Sequence, residues 1–370
     1  VTIEATLYKA ETATLTFGDG SISGTSGGIA VEPLSADTFR IVPNAFTQTA
    51  GDSFTLSISA LDEYENVDIN YDTAGKTFSF SGPSDSPAPS STPPDYPSSV
   101  AAASAFTAGQ ASLDVTLYRA ETVAVTMNDG AGTTGTTAGI DVSSADADRI
   151  EKTGGDAQVR SVLVDIANPL KVEVTDEYSN TVEGETVTFE VASGDGTVGG
   201  GATKNVDTDA GGDAQVSDWA MGPAAALNPN TLNASITSGS IPLVTFTAQA
   251  VDKPNAVITL ESPLPLPGHL CAGRSVDFTG AGSGIKPGAT TAWYEWDFDD
   301  DASQDADVID PGEFTYFYGG NYDVSLTVRD DVGGVTTAVH PDQVVILDND
   351  DDGDVELTPG GGSIPADGIS

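Results

Sequence analysis

Apolar and polar residues alternate along most of this chain with a period of two. The segment 54–60 places Phe, Leu, Ile and Ala on one face and hydroxyl side chains on the other. The same alternation recurs in residues 171–175, 187–191 and 324–328. This period, with turn residues between the runs, predicts half-buried antiparallel strands. Strands at roughly every 8–12 residues are typical of β-sandwiches, so we predict an all-β chain built of sandwiches.

An internal repeat organises these strands. Residues 7–16 have the sequence Leu-Tyr-Lys-Ala-Glu-Thr-Ala-Thr-Leu-Thr, and residues 117–126 repeat it as Leu-Tyr-Arg-Ala-Glu-Thr-Val-Ala-Val-Thr. Each copy is followed by a turn rich in Gly, Thr and Ser, then by an apolar strand and a Ser-Ala-Asp segment. The offset of about 110 residues is the size of one sandwich, and self-similarity at a fixed period indicates an array of modules.

The repeat and the strand pattern divide the chain into five predicted parts. They are a partial module with C-terminal strands only (1–33), a module with a proline-rich loop (34–143), a third module (144–252), a fourth module (253–347), and an acidic linker with the start of a further module (348–370). Two explanations of the incomplete ends stay open. The chain is a piece of a longer array, or a neighbouring molecule completes each end by strand addition.

A shorter motif recurs inside the modules. The sequence Asp-Glu-Tyr-Glu-Asn-Val at 62–67 resembles Asp-Glu-Tyr-Ser-Asn-Thr-Val at 176–182. Asp and Asn bond to local backbone groups and tolerate left-handed conformations, so this motif predicts a strand-connecting turn, with a Ca²⁺ site as the alternative. The proline-rich segment 82–99 cannot be a central strand, and we predict an extended surface loop there.

Charge narrows the range of partners. The chain carries 56 acidic and 13 basic residues, a formal net charge of −43. This excludes nucleic acid, which is bound through Lys and Arg, and argues against an anionic lipid surface. No stretch approaches the roughly 18 apolar residues that a membrane-spanning helix needs. Self-repulsion of this size predicts a saline or Ca²⁺-rich setting or bound cations, the alternative being simply an acidic extracellular protein.

Few residues could carry catalysis. The chain has two histidines, His269 and His340, and one cysteine, Cys271. No Gly-x-Ser-x-Gly turn or Ser/His/Asp order is present, so we predict that the chain is not an enzyme. No disulfide can form within the chain. Cys271 is expected to be a small buried hydrophobe, with an intermolecular bridge as the alternative.

One aspartate cluster has metal-ligand spacing. Oxygen ligands stand at alternate positions at Asp348, Asp350, Asp352 and Asp354. This string, with a glycine at 353, matches the first half of an EF-hand-type Ca²⁺ loop. The bidentate Glu expected several residues on is missing, although Glu356 is nearby. We therefore treat these aspartates as a candidate Ca²⁺ site, with a solvated acidic linker as the alternative.

The repeated segments carry a family resemblance. The copies at 7–16 and 117–126 resemble the immunoglobulin-like repeats of large bacterial and archaeal surface proteins. Residues 169–250 are similar to an invasin/intimin-type bacterial immunoglobulin-like domain, through Pro-Leu-Lys-Val-Glu-Val-Thr-Asp at 169–176 and Val-Thr-Phe-Thr-Ala at 244–248. The resemblance implies tandem immunoglobulin-like β-sandwiches, arranged as beads on a string, with an adhesive or structural role at a cell surface.

Residues 254–347 resemble a PKD (polycystic kidney disease) domain, another immunoglobulin-like sandwich. The hallmark is Tyr-Glu-Trp-Asp-Phe-Asp-Asp-Asp at 294–301, followed by Gly-Asn-Tyr-Asp-Val-Ser-Leu-Thr-Val at 320–328. This sequence departs from the family at Asp299 and Asp301, one of which would usually be Gly. Because some PKD domains bind Ca²⁺ near this turn, the resemblance implies a second candidate site, with an exposed charged rim as the alternative. The acidic cluster at this turn consists of Asp297, Asp299, Asp300, Asp301, Asp305 and Asp307, and the first four are the candidate ligands.

These features predict an extracellular structural protein. It would form part of a cell-surface fibre, sheath, surface layer or stalk, stabilised by cations, and would self-associate or bind neighbouring surface proteins. The alternative is an adhesin, or carbohydrate-binding accessory modules of a large secreted protein. For a glycan partner Trp293 is the candidate exposed aromatic, whereas Trp296 alternates with Phe298 and is predicted to face the core.

Overall fold

The structure, a computed structural model, describes residues 2–237, 241–261, 269–340 and 344–347. Nearly every regular element in these ranges is a β-strand, and the described residues form three hydrophobic cores. The all-β fold of tandem immunoglobulin-like sandwiches is thereby confirmed. We refer to four parts of the chain as module 1 (2–33), module 2 (34–143), module 3 (144–252) and module 4 (253–347).

Module 1 consists of two short antiparallel hairpins. Its strands are β1 (Thr12–Ala13), β2 (Thr16–Gly18), β3 (Ser23–Thr25) and β4 (Ile29–Ala30). β1 pairs with β4, and β2 pairs with β3. The apolar side chains of Leu15, Phe17 and Ile29 are exposed. Among the described residues, this part therefore has no core of its own.

Module 2 contains the same double hairpin inside a closed sandwich. Its strands are β5 (Thr38–Pro43), β6 (Thr47–Thr49), β7 (Ser53–Leu61), β8 (Ser79–Ser81), β9 (Gln110–Thr116), β10 (Thr122–Val123), β11 (Thr126–Asn128), β12 (Thr134–Thr136) and β13 (Ile140–Ser143). One sheet has the order β8-β11-β12-β5-β7-β9, and the other has the order β10-β13-β6. Burial alternates along β5, whose Phe39 and Ile41 enter the core together with Met127 of β11.

Module 3 is a second closed sandwich. Its strands are β14 (Ala147–Gly154), β15 (Gln158–Ser161), β16 (Leu170–Asp176), β17 (Thr186–Ser193), β18 (Thr197–Val198), β19 (Thr203–Asp207), β20 (Asp213–Val216), β21 (Trp219–Ala220), β22 (Asn230–Ile236) and β23 (Val244–Val251). The sheets have the orders β14-β16-β20, β15-β23-β22-β17-β19 and β18-β21. Val172, Phe189 and Phe246 lie in its core.

Module 4 packs three small sheets around an aromatic core. Its strands are β24 (Thr259–Leu260), β25 (His269–Cys271), β26 (Arg274–Thr279), β27 (Ala292–Asp297), β28 (Gly312–Tyr316), β29 (Gly320–Tyr322), β30 (Ser325–Asp330), β31 (Val335–Val339) and β32 (Val344–Leu347). The sheets have the orders β24-β26-β28, β25-β32-β29 and β27-β30-β31. Trp296 is fully buried and its Nε1 donates a hydrogen bond to the Val308 carbonyl, whereas Trp293 is 51% exposed. Both tryptophans therefore lie as predicted.

Two local predictions need correction. The proline-rich segment lies on the surface, but it leads into a helix that the strand pattern did not predict, α1 (Ser99–Ser104). Ala is the best helix former, and the Ser98 hydroxyl accepts a hydrogen bond from the Ala101 N–H as an N-cap.

A 3₁₀ turn spans Ala225–Leu227. Cys271 is half-buried rather than fully buried.

The structure also bears on membrane spanning. Over the parts of the chain that it describes, no helix is both long enough and apolar enough to span a membrane.

Candidate functional site at the module junctions

Both copies of the Asp-x-Tyr-x-Asn motif form the predicted turn. After β7, Asp62 Oδ1 accepts hydrogen bonds from the backbone N–H groups of Tyr64 and Asn66, each at 2.9 Å. Glu65 takes a left-handed φ of 65° between them. In module 3, Asp176 Oδ1 makes the matching bonds within 176–180 at 2.8–2.9 Å. We call residues 62–66 and 176–180 the junction turns.

The Asn of the first junction turn reaches beyond its own module. Asn66 Oδ1 accepts a hydrogen bond from the Ala10 N–H at 2.8 Å, and Asn66 Nδ2 donates to the Tyr8 carbonyl at 2.7 Å. One side-chain amide thus bonds to an extended segment as a neighbouring strand would. The rings of Tyr8 and Tyr64 pack beside this contact with centroids 4.8 Å apart. Module 2 therefore holds the segment that precedes β1.

The second junction repeats this geometry between modules 2 and 3. Asn180 Oδ1 accepts from the Ala120 N–H at 2.8 Å, and Asn180 Nδ2 donates to the Tyr118 carbonyl at 2.9 Å. The rings of Tyr118 and Tyr178 lie 5.0 Å apart. We call residues 8–10 and 118–120 the held segments. Because both lie in the internal repeat, the contact belongs to the repeat itself.

The Asp of each junction turn orients the Asn amide. Asp176 Oδ2 accepts hydrogen bonds from Asn180 Nδ2 at 2.8 Å and from the Ala145 N–H at 2.9 Å. Asp62 is arranged alike; burial alone would raise its pKa, but hydrogen bonds from the Asn66 amide and from backbone N–H groups hold that pKa below its usual value. Both oxygens of each carboxylate accept N–H donors, so hydrogen bonds fix the position of each carboxylate.

Two further parts of module 2 contact the second junction turn. The Ser90 hydroxyl of the proline-rich loop donates to the Glu177 carbonyl at 3.0 Å. Gly51, with a φ of 84°, lies so close to the Tyr178 ring that a Cβ at this position would overlap the Tyr178 hydroxyl. Burial, followed by the neighbouring Glu177 carboxylate, raises the pKa of Tyr178 to about 12. The second junction therefore packs side chains as well as pairing backbone groups.

The junction between modules 3 and 4 lacks the Asn. Asp330 Oδ1 accepts hydrogen bonds from the N–H groups of Val332 and Gly334, so the turn keeps its Asp, but Gly334 stands where the other turns carry Asn. Asp330 Oδ2 is buried and has no hydrogen-bond partner. The modules meet instead through the backbone, where the Ser161 N–H donates to the Val332 carbonyl at 2.8 Å.

The acidic turn of module 4 brings three carboxylates together. Ligand oxygens of Asp297, Asp299 and Asp305 all lie within 4.8 Å of one another. Asp297 Oδ1 accepts the Asp300 N–H at 2.8 Å, and Asp305 Oδ2 accepts the Phe298 N–H at 2.7 Å, so the backbone fixes two of the three groups. Asp299 Oδ1 is buried without a hydrogen-bond partner. Burial raises the pKa of Asp299, and repulsion by the neighbouring carboxylates adds to the shift.

Only two of the four predicted metal ligands at this turn belong to the group of three carboxylates. Asp297 and Asp299 face one another, whereas Asp301 accepts a hydrogen bond from the Ser303 N–H at 2.8 Å and is outside the group, as is Asp300. Asp300 takes a left-handed φ of 58°, a conformation that glycine adopts most easily. The other candidate site, at Asp348, Asp350, Asp352 and Asp354, lies outside the described residues.

The sequence predicted the junction turns but not their partners. Asn66 and Ala10 are 56 residues apart, and Asn180 and Ala120 are 60 residues apart. A signal was present in the sequence, because the turn motif and the Leu-Tyr-basic-Ala motif recur together. Their recurrence as a pair would have indicated contact between them.

The sheets and junctions define the class of the protein as a tandem array of immunoglobulin-like sandwiches. Residues 265–346 match the model of the PKD domain family, which confirms the resemblance of module 4. No sequence relative is found among curated proteins. Among solved structures, the chain is similar to the Escherichia coli adhesin FdeC, with 13% identity over 86% of this chain and 99% of that chain and a TM-score of 0.41.

Two further solved structures show the same kind of likeness. The Yersinia pseudotuberculosis adhesin InvE has 16% identity, covers 63% of this chain and 70% of its own, and gives a TM-score of 0.27. The FN1–FN3 domains of chicken CNTN1 have 11% identity, with 83% and 99% covered and a TM-score of 0.34. At these TM-scores the likeness says nothing about what this chain binds.

Proposed function

We propose that this chain is a segment of an extracellular structural protein, such as a fibre, sheath, surface layer or stalk. The observation that carries the proposal is the repeated junction, in which Asn66 and Asn180 bond the held segments in the same way. Domains joined by free linkers move relative to one another by default. A side chain that fixes the linker backbone restricts this motion, and a restricted array can bear load along its length.

Small-angle X-ray scattering of the full chain tests this proposal. The double variant Asn66→Ala/Asn180→Ala should give a broader distribution of interatomic distances than the wild type, because both held segments are released. The control is Asn128→Ala/Asn205→Ala, which removes two exposed amides that make no contact between modules. Identical scattering from the junction variant and the wild type would refute a structural role for the junctions.

The charge of −43 supports an extracellular setting in which cations screen the carboxylates. Module 4 offers the site for such a cation, because Asp297, Asp299 and Asp305 converge and one buried Asp299 oxygen lacks a partner. Ca²⁺ takes about six to eight oxygen ligands, so these carboxylates would be completed by carbonyl groups and water. The aspartates at 348–354 are proposed as a second Ca²⁺ site on their spacing alone.

Calorimetric titration with Ca²⁺ tests the site in module 4. Asp299→Asn should weaken Ca²⁺ binding at least tenfold and abolish the rise of melting temperature that Ca²⁺ causes in the wild type. Asp310→Asn, which removes an exposed carboxylate of the same module, should leave both unchanged. If chelator and excess Ca²⁺ give superimposable melting curves for the wild type, the cation part of the proposal is wrong.

A glycan-binding adhesin is the second candidate function. The observation in its favour is that Trp293 lines a surface cleft of about 470 Å³ together with Gln304, Asp307 and Arg329. Sugar rings stack on exposed aromatic faces while their hydroxyls bond polar groups at the rim. A glycan array would decide between the functions: binding that Trp293→Ala abolishes and Trp293→Phe keeps would favour the adhesin.

A further inference from the structure

The strand β31 (Val335–Val339) forms one edge of the sheet β27-β30-β31 in module 4. It lies between β30 and β32 in the chain, so this edge belongs to the fold of the module itself. Its pairing with β30 continues without a register shift over all five residues of the strand. Among the described residues, β31 is therefore a regular strand with a neighbouring strand on one side only.

Every second residue of β31 directs its backbone groups away from β30. The Gly334 carbonyl, just before β31, accepts a hydrogen bond from the Asp330 N–H at 3.0 Å, and just after β31 the His340 N–H donates back at 2.8 Å to the residue that precedes Ser325 by one. Antiparallel strands alternate between bonded and non-bonded pairs, so the even-numbered residues face β30 and the odd-numbered residues face outward. Over the described ranges, no hydrogen bond reaches the backbone groups of the outward residues, which are Val335, Thr337 and Val339.

β31 lacks the features that protect the other sheet edges. Exposed edges are commonly blocked by charged side chains, proline or bulges. Every other edge strand of at least four residues that the structure describes carries a charged side chain; these strands are β9, β14, β15, β19, β20, β27 and β28. β31 has the uncharged sequence Val-Thr-Thr-Ala-Val. Because the chain has a net charge of −43, an uncharged edge is a place where a second acidic molecule can approach with little repulsion.

The side chains of β31 that face away from the core are the same in both directions along the strand. Val335 and Val339 are 39% and 57% exposed, and Thr337 lies exposed between them. On the same face of the sheet, Arg329 and Glu295 neutralise each other, with a distance of 3.1 Å between guanidinium nitrogen and carboxylate oxygen. This edge is therefore uncharged and nearly symmetric about Thr337.

We propose that β31 pairs with the same strand of a second copy of this chain, antiparallel and about a twofold axis at Thr337. Val335 would lie opposite Val339 of the second copy, and the two Thr337 residues would face each other. Each outward N–H and C=O group would then be bonded, and two three-stranded sheets would join into one. A twofold contact requires a surface that is complementary to itself, and the symmetry of β31 meets this requirement better than it meets that of a foreign strand.

This inference does not rest on the proposed function, because none of the junction contacts involves a residue of β31. It also predicts a weak association. A strand of five residues buries less than the roughly 1,200 Å² of a standard interface, so a single pair of strands should dissociate readily.

Sedimentation velocity of the full chain over a concentration series tests the proposal. The ionic strength should be about 0.15 M, at which the Debye length of about 8 Å screens the more distant charges. The wild type should show a reversible monomer–dimer equilibrium. Thr337→Pro should weaken the dimer at least tenfold, because it removes an outward N–H group but none of the bonds to β30. The matched control Thr337→Val keeps every backbone group and should dimerise like the wild type.

A pair of charged variants tests the position of the axis. Thr337→Lys and Thr337→Asp should each be monomeric, because like charges would lie directly opposite each other. Their equimolar mixture should form a dimer, because opposite charges then face each other across the axis. The junction variant Asn66→Ala/Asn180→Ala should dimerise like the wild type, which separates this inference from the proposed function. The proposal is overturned by a wild type that stays monomeric, by equal dimerisation of Thr337→Pro and Thr337→Val, or by a mixture of the charged variants that stays monomeric.

Discussion

The junctions before and after module 3 both join neighbouring sandwiches, but they do so through different contacts. Before module 3, Asn180 bonds to both the N–H and the C=O groups of the held segment, and Asp176 orients the amide. After module 3, Gly334 replaces the Asn, and the contact is a backbone bond from Ser161 to Val332. The first junction is specified by side chains, whereas the second depends on close approach of the backbones.

Comparison of the two junctions separates the contribution of the Asn from that of the Asp. The Asp-centred turn forms without the Asn, since Asp330 bonds the same backbone positions as Asp62 and Asp176. The second carboxylate oxygen of Asp330 is buried and unbonded, whereas that of Asp176 accepts both the Asn180 amide and the Ala145 N–H. The Asn therefore bonds the neighbouring module, and the Asp bonds groups of its own module.

Asn180→Ala should have the largest effect on this comparison. It leaves the Tyr118 carbonyl and the Ala120 N–H without their bonds and removes one of the two donors to Asp176 Oδ2, which we expect to cost about 3 kcal/mol of unfolding free energy. Urea unfolding, followed by hydrogen exchange in peptides that span residues 118–120, measures the loss. The control Asn205→Ala should change stability by less than about 0.5 kcal/mol. Unaltered exchange at 118–120 in Asn180→Ala would show that the amide bonds do not hold the segment.

Gly334→Asn tests whether the Asn can be installed in module 4. A Cβ at Gly334 would overlap Asp330 Oδ2 and lie 2.7 Å from the Ser161 hydroxyl, so the substitution should destabilise the chain by about 2 kcal/mol through overpacking. The control is Gly284→Asn, since Gly284 has nothing within 4 Å. A gain of stability in Gly334→Asn, measured by urea unfolding, would mean that the two junctions are interchangeable after all.

Acid should change the stability of modules 2 and 4 in opposite directions, and we expect this effect to be smaller than the effects of the two substitutions. In module 2, bonds from Asn66 outweigh burial at Asp62, and a bond from Lys76 does so at Asp129, so the pKa of each lies below the ordinary 3.8. The stability that these groups contribute is complete above about pH 4 and is lost as the pH falls through their folded-state pKa values. Asp299 of module 4 has a raised pKa, so its contribution has the opposite sign, and protonation relieves repulsion as the pH falls.

Unfolding curves between pH 3 and pH 7, resolved by module through hydrogen exchange, measure this difference. Module 2 should lose protection below about pH 4, while protonation of Asp299 should not lower protection in module 4. Loss of protection in module 4 first would contradict the assignment of the carboxylate partners.

Several elements could be predicted because local pattern decides them. The alternation in residues 54–60 gives β7, and the alternation of Trp296 with Phe298 places both in one core. The partners of the junction turns could not be predicted, because they depend on how two folded modules meet. Asp305 was predicted to belong to the same acidic cluster, but its approach to Asp297 and Asp299 depends on its backbone N–H, which donates to the Trp296 carbonyl at 2.8 Å.

The position of the junction parts within module 2 has an evolutionary consequence. The module carries a junction turn at 62–66, which receives the preceding segment, and a held segment at 118–120, which the following module receives. A gene duplication or deletion of this unit would regenerate matched contacts on both sides without compensating substitutions. The number of modules can therefore change by recombination. A unit with a glycine in place of the Asn of the junction turn would lack the side-chain contact to the preceding module.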